Sequence, residues 1–73
     1  MAKLTDEQRR ALRILARHLD GCDEAALVAE GFSVSLLAVL VIDGFAKMRT
    51  VTRFGRKVVW MEITAAGRKA IAE

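Results

Sequence analysis

The stretch 31–44, GFSVSLLAVLVIDG, limits what this chain can fold into more than any other segment. It begins with Gly-Phe-Ser, in which one helix stops and the next one starts, and it ends with Asp-Gly, a second helix stop. Residues 34–42 are apolar at every position except Ser35. The stretch therefore predicts a short and strongly apolar helix.

A chain of 73 residues makes one small domain, which we expect to span residues 1–73. A domain of this size buries only about 60% of the surface of its extended chain, so its core is thin. Yet 53% of the residues are hydrophobic. Some of them have no core to enter, which favours a protein partner or a homodimer.

Few side chains suit catalysis or metal binding. Cys22 is the only cysteine and His18 the only histidine, and they do not stand at a metal-ligand spacing. A lone thiol is typical of a reducing cytoplasm. Because there is also no nucleophile beside a base and no pair of carboxylates, the sequence predicts neither an enzyme nor a bound metal or cofactor.

The sequence carries no signal for secretion or membrane insertion. Its first ten residues include five charged side chains in place of an apolar run. The longest apolar run, 36–42, is far shorter than the ~20 residues that cross a bilayer. We therefore expect a cytoplasmic protein.

The net charge of +3 is unevenly distributed along the chain. Residues 1–20 carry five basic and three acidic side chains, and residues 45–73 carry seven basic and two acidic ones. Residues 21–44 carry four acidic side chains and no Lys or Arg. Basic charge is thus expected at both ends of the chain, with an acidic segment between them.

A first helix is predicted over 6–19. Thr5 is a suitable N-cap, and Gln8 stands three residues further on, where it completes a capping box. One face of this helix carries a row of basic residues: Arg9, Arg13 and Arg17. That row is either a solvated helix surface or a contact to backbone phosphates.

A helix-turn-helix is predicted over 23–43. Asp23 caps a second helix over 24–30, and Gly31 supplies the left-handed residue that ends it. Ser33 then caps the third helix. Two helices joined by a short connection that contains Gly are typical of this motif.

The third helix is apolar on two sides when it is drawn at 100° per residue. One side, predicted to face the core, holds Leu37, Leu40 and Val41. The opposite side holds Ser35, Ala38, Val39 and Ile42. Such a surface can touch thymine methyls, but it lacks the side chains that make bidentate contacts to guanine or adenine.

After Gly44 the pattern changes to the period of two that is typical of strands, and a β-hairpin is predicted over 45–63. The strands 45–53 and 57–63 flank a turn of Phe54, Gly55 and Arg56. On the second strand Val59, Met61 and Ile63 are predicted to face inward. Trp60 then lies on the outer face, covered by long side chains of the first strand or by a partner.

A last helix is predicted over 65–72 with Thr64 as its N-cap. Gly67 lies within it and lowers its intrinsic stability by about 1 kcal/mol relative to Ala. The helix is therefore expected to depend on contacts with the rest of the domain.

The order of these elements resembles the winged-helix superfamily and, within it, the MarR-like regulators. The residues that carry the resemblance are Leu27, Gly31-Phe32-Ser33, Leu40-Val41, Gly44-Phe45, Gly55-Arg56-Lys57, Ile63-Thr64 and Gly67-Arg68. The resemblance implies an α+β, mainly α, winged helix with the order α-α-α-β-β-α. It differs from the family in the apolar outer face of the third helix.

The first functional hypothesis is a DNA-binding transcriptional regulator with a basic wing. The resemblance implies that the third helix enters the major groove and that the hairpin reaches phosphates or the minor groove. The predicted nucleic-acid-binding residues are Ser33, Ser35, Lys47, Arg49, Arg53, Arg56 and Lys57. Alternatively, the two serines act as cap and solvated residue, and the wing charges protect exposed strand edges. Phe54 could stack on a base, although a Phe in a turn more often folds back on its strand.

The second hypothesis is a protein-interaction or homodimerisation module on the same scaffold. It uses the acidic segment and the spare apolar side of the third helix. The predicted partner interface consists of Leu36, Val39, Ile42 and Trp60. Both hypotheses hold together if a dimer formed at the third helix presents two wings.

Overall fold

The computed structural model describes residues 4–18 and 20–72, and over these residues the chain forms four helices and a three-stranded sheet. The helices are α1 (Asp6–Arg17), α2 (Glu24–Ala29), α3 (Val34–Ile42) and α4 (Ala65–Ile71), and the strands are β1 (Cys22–Asp23), β2 (Ala46–Arg53) and β3 (Arg56–Ile63). About half of the chain is helical, and the α+β class is confirmed. The predicted order lacked β1 and is wrong in that respect. α1 ends at Arg17 with His18 as its C-cap, so the first helix is shorter than the predicted 6–19, and position 19 itself lies outside the described residues.

All four helices begin at the residues that the sequence predicted as N-caps. In α1 the Thr5 hydroxyl accepts a hydrogen bond from the Gln8 amide at 3.1 Å, and the Gln8 side chain accepts one from the Thr5 amide at 2.8 Å. The side chains of Asp23, Ser33 and Thr64 cap α2, α3 and α4 in the same i to i+3 manner. Each cap satisfies an amide that the helix itself leaves without an acceptor.

The core lies between the helices and the part of the hairpin nearest to them. Its six largest fully buried side chains are Leu12, Leu15, Leu27, Leu37, Leu40 and Met61. Of the three residues predicted to face inward from the second strand, Met61 and Ile63 are buried and Val59, nearer the turn, is half-buried. The core therefore covers only the base of the hairpin.

The sheet is antiparallel and has the order β1-β3-β2. β1 is only two residues long, and it pairs Cys22 with Met61 and Asp23 with Trp60. Gly21, directly before it, has a φ of +89°, and a Cβ there would lie 2.6 Å from the Met61 carbonyl oxygen. Only glycine combines that φ with such a close approach, so Gly21 allows the chain to join the sheet.

The hairpin turn is one residue shorter than predicted, because Arg56 belongs to β3 and pairs with Arg53. The two turn residues, Phe54 and Gly55, have φ values of +52° and +74°. Positive φ at both central residues is the signature of a type I′ turn, which matches the right-handed twist of the flanking strands.

Thr64 fastens the base of the hairpin to α4. Its amide donates to the Phe45 carbonyl oxygen at 3.1 Å, and its hydroxyl donates to the Gly44 carbonyl oxygen at 2.6 Å. The same hydroxyl accepts from the Gly67 amide at 3.1 Å as the cap of α4. The base is therefore fixed, while the distal half projects from a molecule that measures 40 × 21 × 20 Å.

Candidate nucleic-acid interface

Four of the five predicted wing cations lie on one face of the hairpin. Residues two apart along a strand share a face, and the register of β2 and β3 defines the face that carries Trp60. We call it the outer face, and its basic residues are Lys47, Arg49, Arg53 and Arg56. Lys57 pairs with Thr52 on the opposite face, close to the tip. All five cations are exposed.

Glu62 partly neutralises the base of the outer face. One of its carboxylate oxygens lies 3.0 Å from Arg49 Nη2, and the other lies 4.0 Å from Lys47 Nζ. Both cationic side chains stay about two-thirds exposed. Ion pairs this exposed contribute about 0–1 kcal/mol and exchange readily for another anion.

Trp60 is held by its own chain. Its indole Nε1 donates to the Asp20 carbonyl oxygen at 2.7 Å, and the guanidinium of Arg53 lies 4.4 Å from the ring centroid. The sequence left two alternatives for the cover of Trp60, a long side chain of the first strand or a partner. Arg53 of β2 provides the first of these. Arg49 and Arg53 also border an open depression of about 350 Å³ beside the indole. The cation–π attraction to the Trp60 ring holds the Arg53 guanidinium in place, while the guanidinium edge away from the ring stays accessible.

Phe54 stands at the tip of the hairpin and is 99% exposed. It does not fold back on its strand, which was the more common behaviour considered for a Phe in a turn. Its φ of +52° is the left-handed backbone conformation. One sequence signal pointed to this unusual placement: Phe54 stands directly before Gly, at a turn position that normally holds Asn or Asp.

α3 presents apolar side chains to solvent, as the wheel predicted. Ile42 is 80% exposed and Val39 40% exposed, while Leu37 and Leu40 are fully buried. Leu36, the other α3 residue of the predicted partner interface, packs against the core. The exposed part of that predicted interface is therefore formed by Val39 and Ile42.

The two serines at the start of α3 differ in whether the hydroxyl already makes a hydrogen bond within the helix. The Ser33 hydroxyl accepts from the Leu36 amide at 3.1 Å and so serves as the cap. Ser35 is exposed one residue inside the helix. Neither side chain supplies a positive charge, and α3 itself contains no Lys or Arg. Its chemistry is therefore that of an apolar surface with one available hydroxyl.

The basic row on α1 is only partly solvated. Arg13 and Arg17 are exposed, whereas Arg9 is half-buried and its Nε is a buried donor without an acceptor. Arg10, which lies outside the row, has its guanidinium 5.9 Å from the centroid of Phe32. These cations lie on α1 and not on the hairpin.

Cys22 and His18 border an open depression of about 260 Å³ between α1 and α2. Burial, and then the charge of Asp23, raise the pKa of the Cys22 thiol above its usual range. The thiol therefore stays protonated at neutral pH and is a poor nucleophile. Within residues 4–18 and 20–72, no three metal-ligating side chains come together.

Comparison of the chain with protein-family models, with curated proteins and with solved structures gives no significant match. Among the described helices, none is both long enough and apolar enough to cross a membrane.

Proposed function

We propose that this protein is a DNA-binding module of the winged-helix type, acting as a small transcriptional regulator, and that its hairpin makes the main contact. The observation that carries the proposal is the projecting hairpin, with four exposed cations on one face and a fifth beside the tip. A row of Lys and Arg along a projecting element is the electrostatic footprint of phosphate binding.

The distribution of charge favours the hairpin over α3 as the contact. The helix pair α2 and α3, with its cap residues, carries four carboxylates and no cation. These carboxylates repel phosphates, whereas the hairpin attracts them at distances within about 10 Å at moderate salt. DNA is therefore expected to lie along β2, β3 and the tip, with only weak readout of bases by α3.

The proposal is tested by titrating a labelled duplex of mixed sequence at several salt concentrations. Binding through phosphates releases counterions, so log K falls linearly with log salt, with a slope of about −0.9 per contact. The double variant Arg56→Ala, Lys57→Ala should reduce the magnitude of that slope by about 1–2 and weaken binding on every sequence alike.

Arg68→Ala, Lys69→Ala is the matched control. It removes the same two charges from the exposed surface of α4, so both double variants have the same net charge. The control should bind with nearly the slope of the unsubstituted protein. An equal loss in both variants would mean that net charge, and not the hairpin, drives binding. No detectable binding of the unsubstituted protein at low salt would refute the proposal.

A second candidate is a homodimer formed through α3. The observation that favours it is the exposure of Val39 and Ile42, two branched apolar side chains three residues apart on one helix face. Such a dimer would cover apolar surface and leave both hairpins free. The mass of the protein in solution decides whether it forms.

A further inference from the structure

We propose that Phe54 is a stacking group for an unpaired base, so that the preferred ligand is DNA with locally unstacked bases and not a continuous duplex. This inference rests on the proposed function, because it assumes that the hairpin contacts DNA. It goes beyond the basic outer face in two respects: it names a class of ligand, DNA with unstacked bases, and it gives Phe54 a role in binding.

The placement of Phe54 leaves its ring without an internal role. It is 99% exposed, so the ring contributes nothing to the core and covers no neighbouring side chain. A group that packs on the fold loses most of its exposure, as Met61 and Phe32 do. The ring is therefore available in full to a ligand.

The backbone at Phe54 is in a conformation that Phe disfavours. Its φ of +52° lies in the left-handed region, which Gly, Asn and Asp tolerate and larger residues rarely occupy. A type I′ turn at this position would be more stable with Asn. A bulky aromatic residue kept there at the expense of stability is the pattern found at functional sites.

Phe54 stands among basic residues in the sequence. Arg53 precedes it, and Arg56 and Lys57 follow after Gly55. Arg53 and Arg56 form the last pair of the ladder, directly beside the turn, and the guanidinium of Arg53 lies over Trp60. Aromatic rings combined with cations that follow the backbone are what proteins use to bind single-stranded nucleic acid, where bases stack on the ring.

Stacking of the Phe54 ring contributes less to the binding of a continuous duplex. To stack between paired bases it must first separate them, and the unstacking opposes much of the gain. At a bulge or in a single strand the bases are already unstacked, so that opposing contribution is absent. We expect the protein to bind a bulged duplex about tenfold more tightly than the matched one.

The experiment compares a matched duplex with the same duplex carrying a short central bulge, using the full chain and Phe54→Asn. Asn tolerates the left-handed turn, so this variant should fold at least as stably as the unsubstituted protein. It should lose the preference for the bulge, while the salt slope for the matched duplex stays the same because no charge is removed. Phe54→Trp, which keeps an aromatic ring, should retain the preference.

A fluorescent 2-aminopurine in the bulge reports the contact itself, because its emission changes when it stacks. The emission should change on binding of the unsubstituted protein and of Phe54→Trp, and stay constant with Phe54→Asn. Equal binding to both DNAs, unaltered by Phe54→Asn, would overturn the inference and leave the proposed function standing. Absence of binding to either DNA would instead remove the proposed function.

A membrane surface is the competing ligand for an exposed aromatic ring among cations. Vesicles of phosphatidylcholine and phosphatidylserine test it with the same variants. Binding to these vesicles that depends on Phe54, without any preference for bulged DNA, would overturn the inference. Absence of vesicle binding together with the bulge preference would support it.

Discussion

At Gly67 the space around the Cα, and not helix propensity, decides which residue fits. From the sequence, Gly67 was expected to weaken α4. In the structure, the hairpin backbone approaches so closely at this position that no Cβ fits. A Cβ at this position would run into the Phe45 carbonyl oxygen and lie 2.8 Å from Cγ1 of Ile63. That carbonyl is held by its hydrogen bond from the Thr64 amide, so it cannot move aside without breaking the link between hairpin and α4.

We predict that Gly67→Ala destabilises the protein by about 1–2 kcal/mol. The substitution gains about 1 kcal/mol of helix propensity. Overpacking costs about 1–3 kcal/mol, and because the neighbour is a fixed carbonyl we expect the upper part of that range, about 2–3 kcal/mol. Urea unfolding measures the change. Ala66→Gly at the exposed neighbouring position calibrates the propensity at about 1 kcal/mol. A Gly67→Ala protein as stable as the original would contradict the steric explanation.

Residue-scale features with short-range causes were the most predictable from sequence. Each of the caps Thr5, Asp23, Ser33 and Thr64 depends on an amide only three residues away. The conformation of Phe54 was not predictable, because it follows from a two-residue turn whose length is set by the pairing of distant strands. The exposed cations of the candidate site on the hairpin, by contrast, could be proposed from charge and spacing alone.

Among the elements, long periodic segments were predicted and the shortest one was missed. α1 and the hairpin strands follow clear periodic patterns of apolar residues, and α3 was delimited by the Ser33 cap and the Asp43-Gly44 stop. β1 has only two residues, too few to show alternation, and it forms because Gly21 lets the chain approach β3. The sequence identified the Asp23 cap correctly, but it placed the end of the first helix two residues too late and contained no signal for the pairing of β1.

The exposed face of α3 allows a prediction at the scale of that element. If α3 forms a homodimer, light scattering should give twice the chain mass, and the double variant Val39→Lys, Ile42→Lys should give a monomer. Two lysines on this face would have to be desolvated at the interface, which is strongly unfavourable. Ala66→Lys, exposed on α4, is the control and should leave the mass unchanged. A monomer in every case would contradict the homodimer.

On the scale of the whole molecule, the domain is divided between a packed base and a projecting arm. The helices, β1 and the lower part of the hairpin hold the buried core, while the distal residues of β2 and β3 are mostly exposed. The hairpin carries five of the twelve cations, whereas α2, α3 and their cap residues carry four carboxylates and no cation. This division is why the proposed contact lies on the hairpin instead of the helix that the resemblance would place in the major groove.

The most direct test of this claim is to map the DNA contact by NMR on the isotopically labelled protein. As a duplex is added, the largest amide shifts should fall on the distal hairpin, residues 51–58, with smaller shifts along the rest of β2. Amides of α3 should change little. The largest shifts on residues 34–42, or shifts spread evenly over the surface, would contradict a contact made mainly by the hairpin.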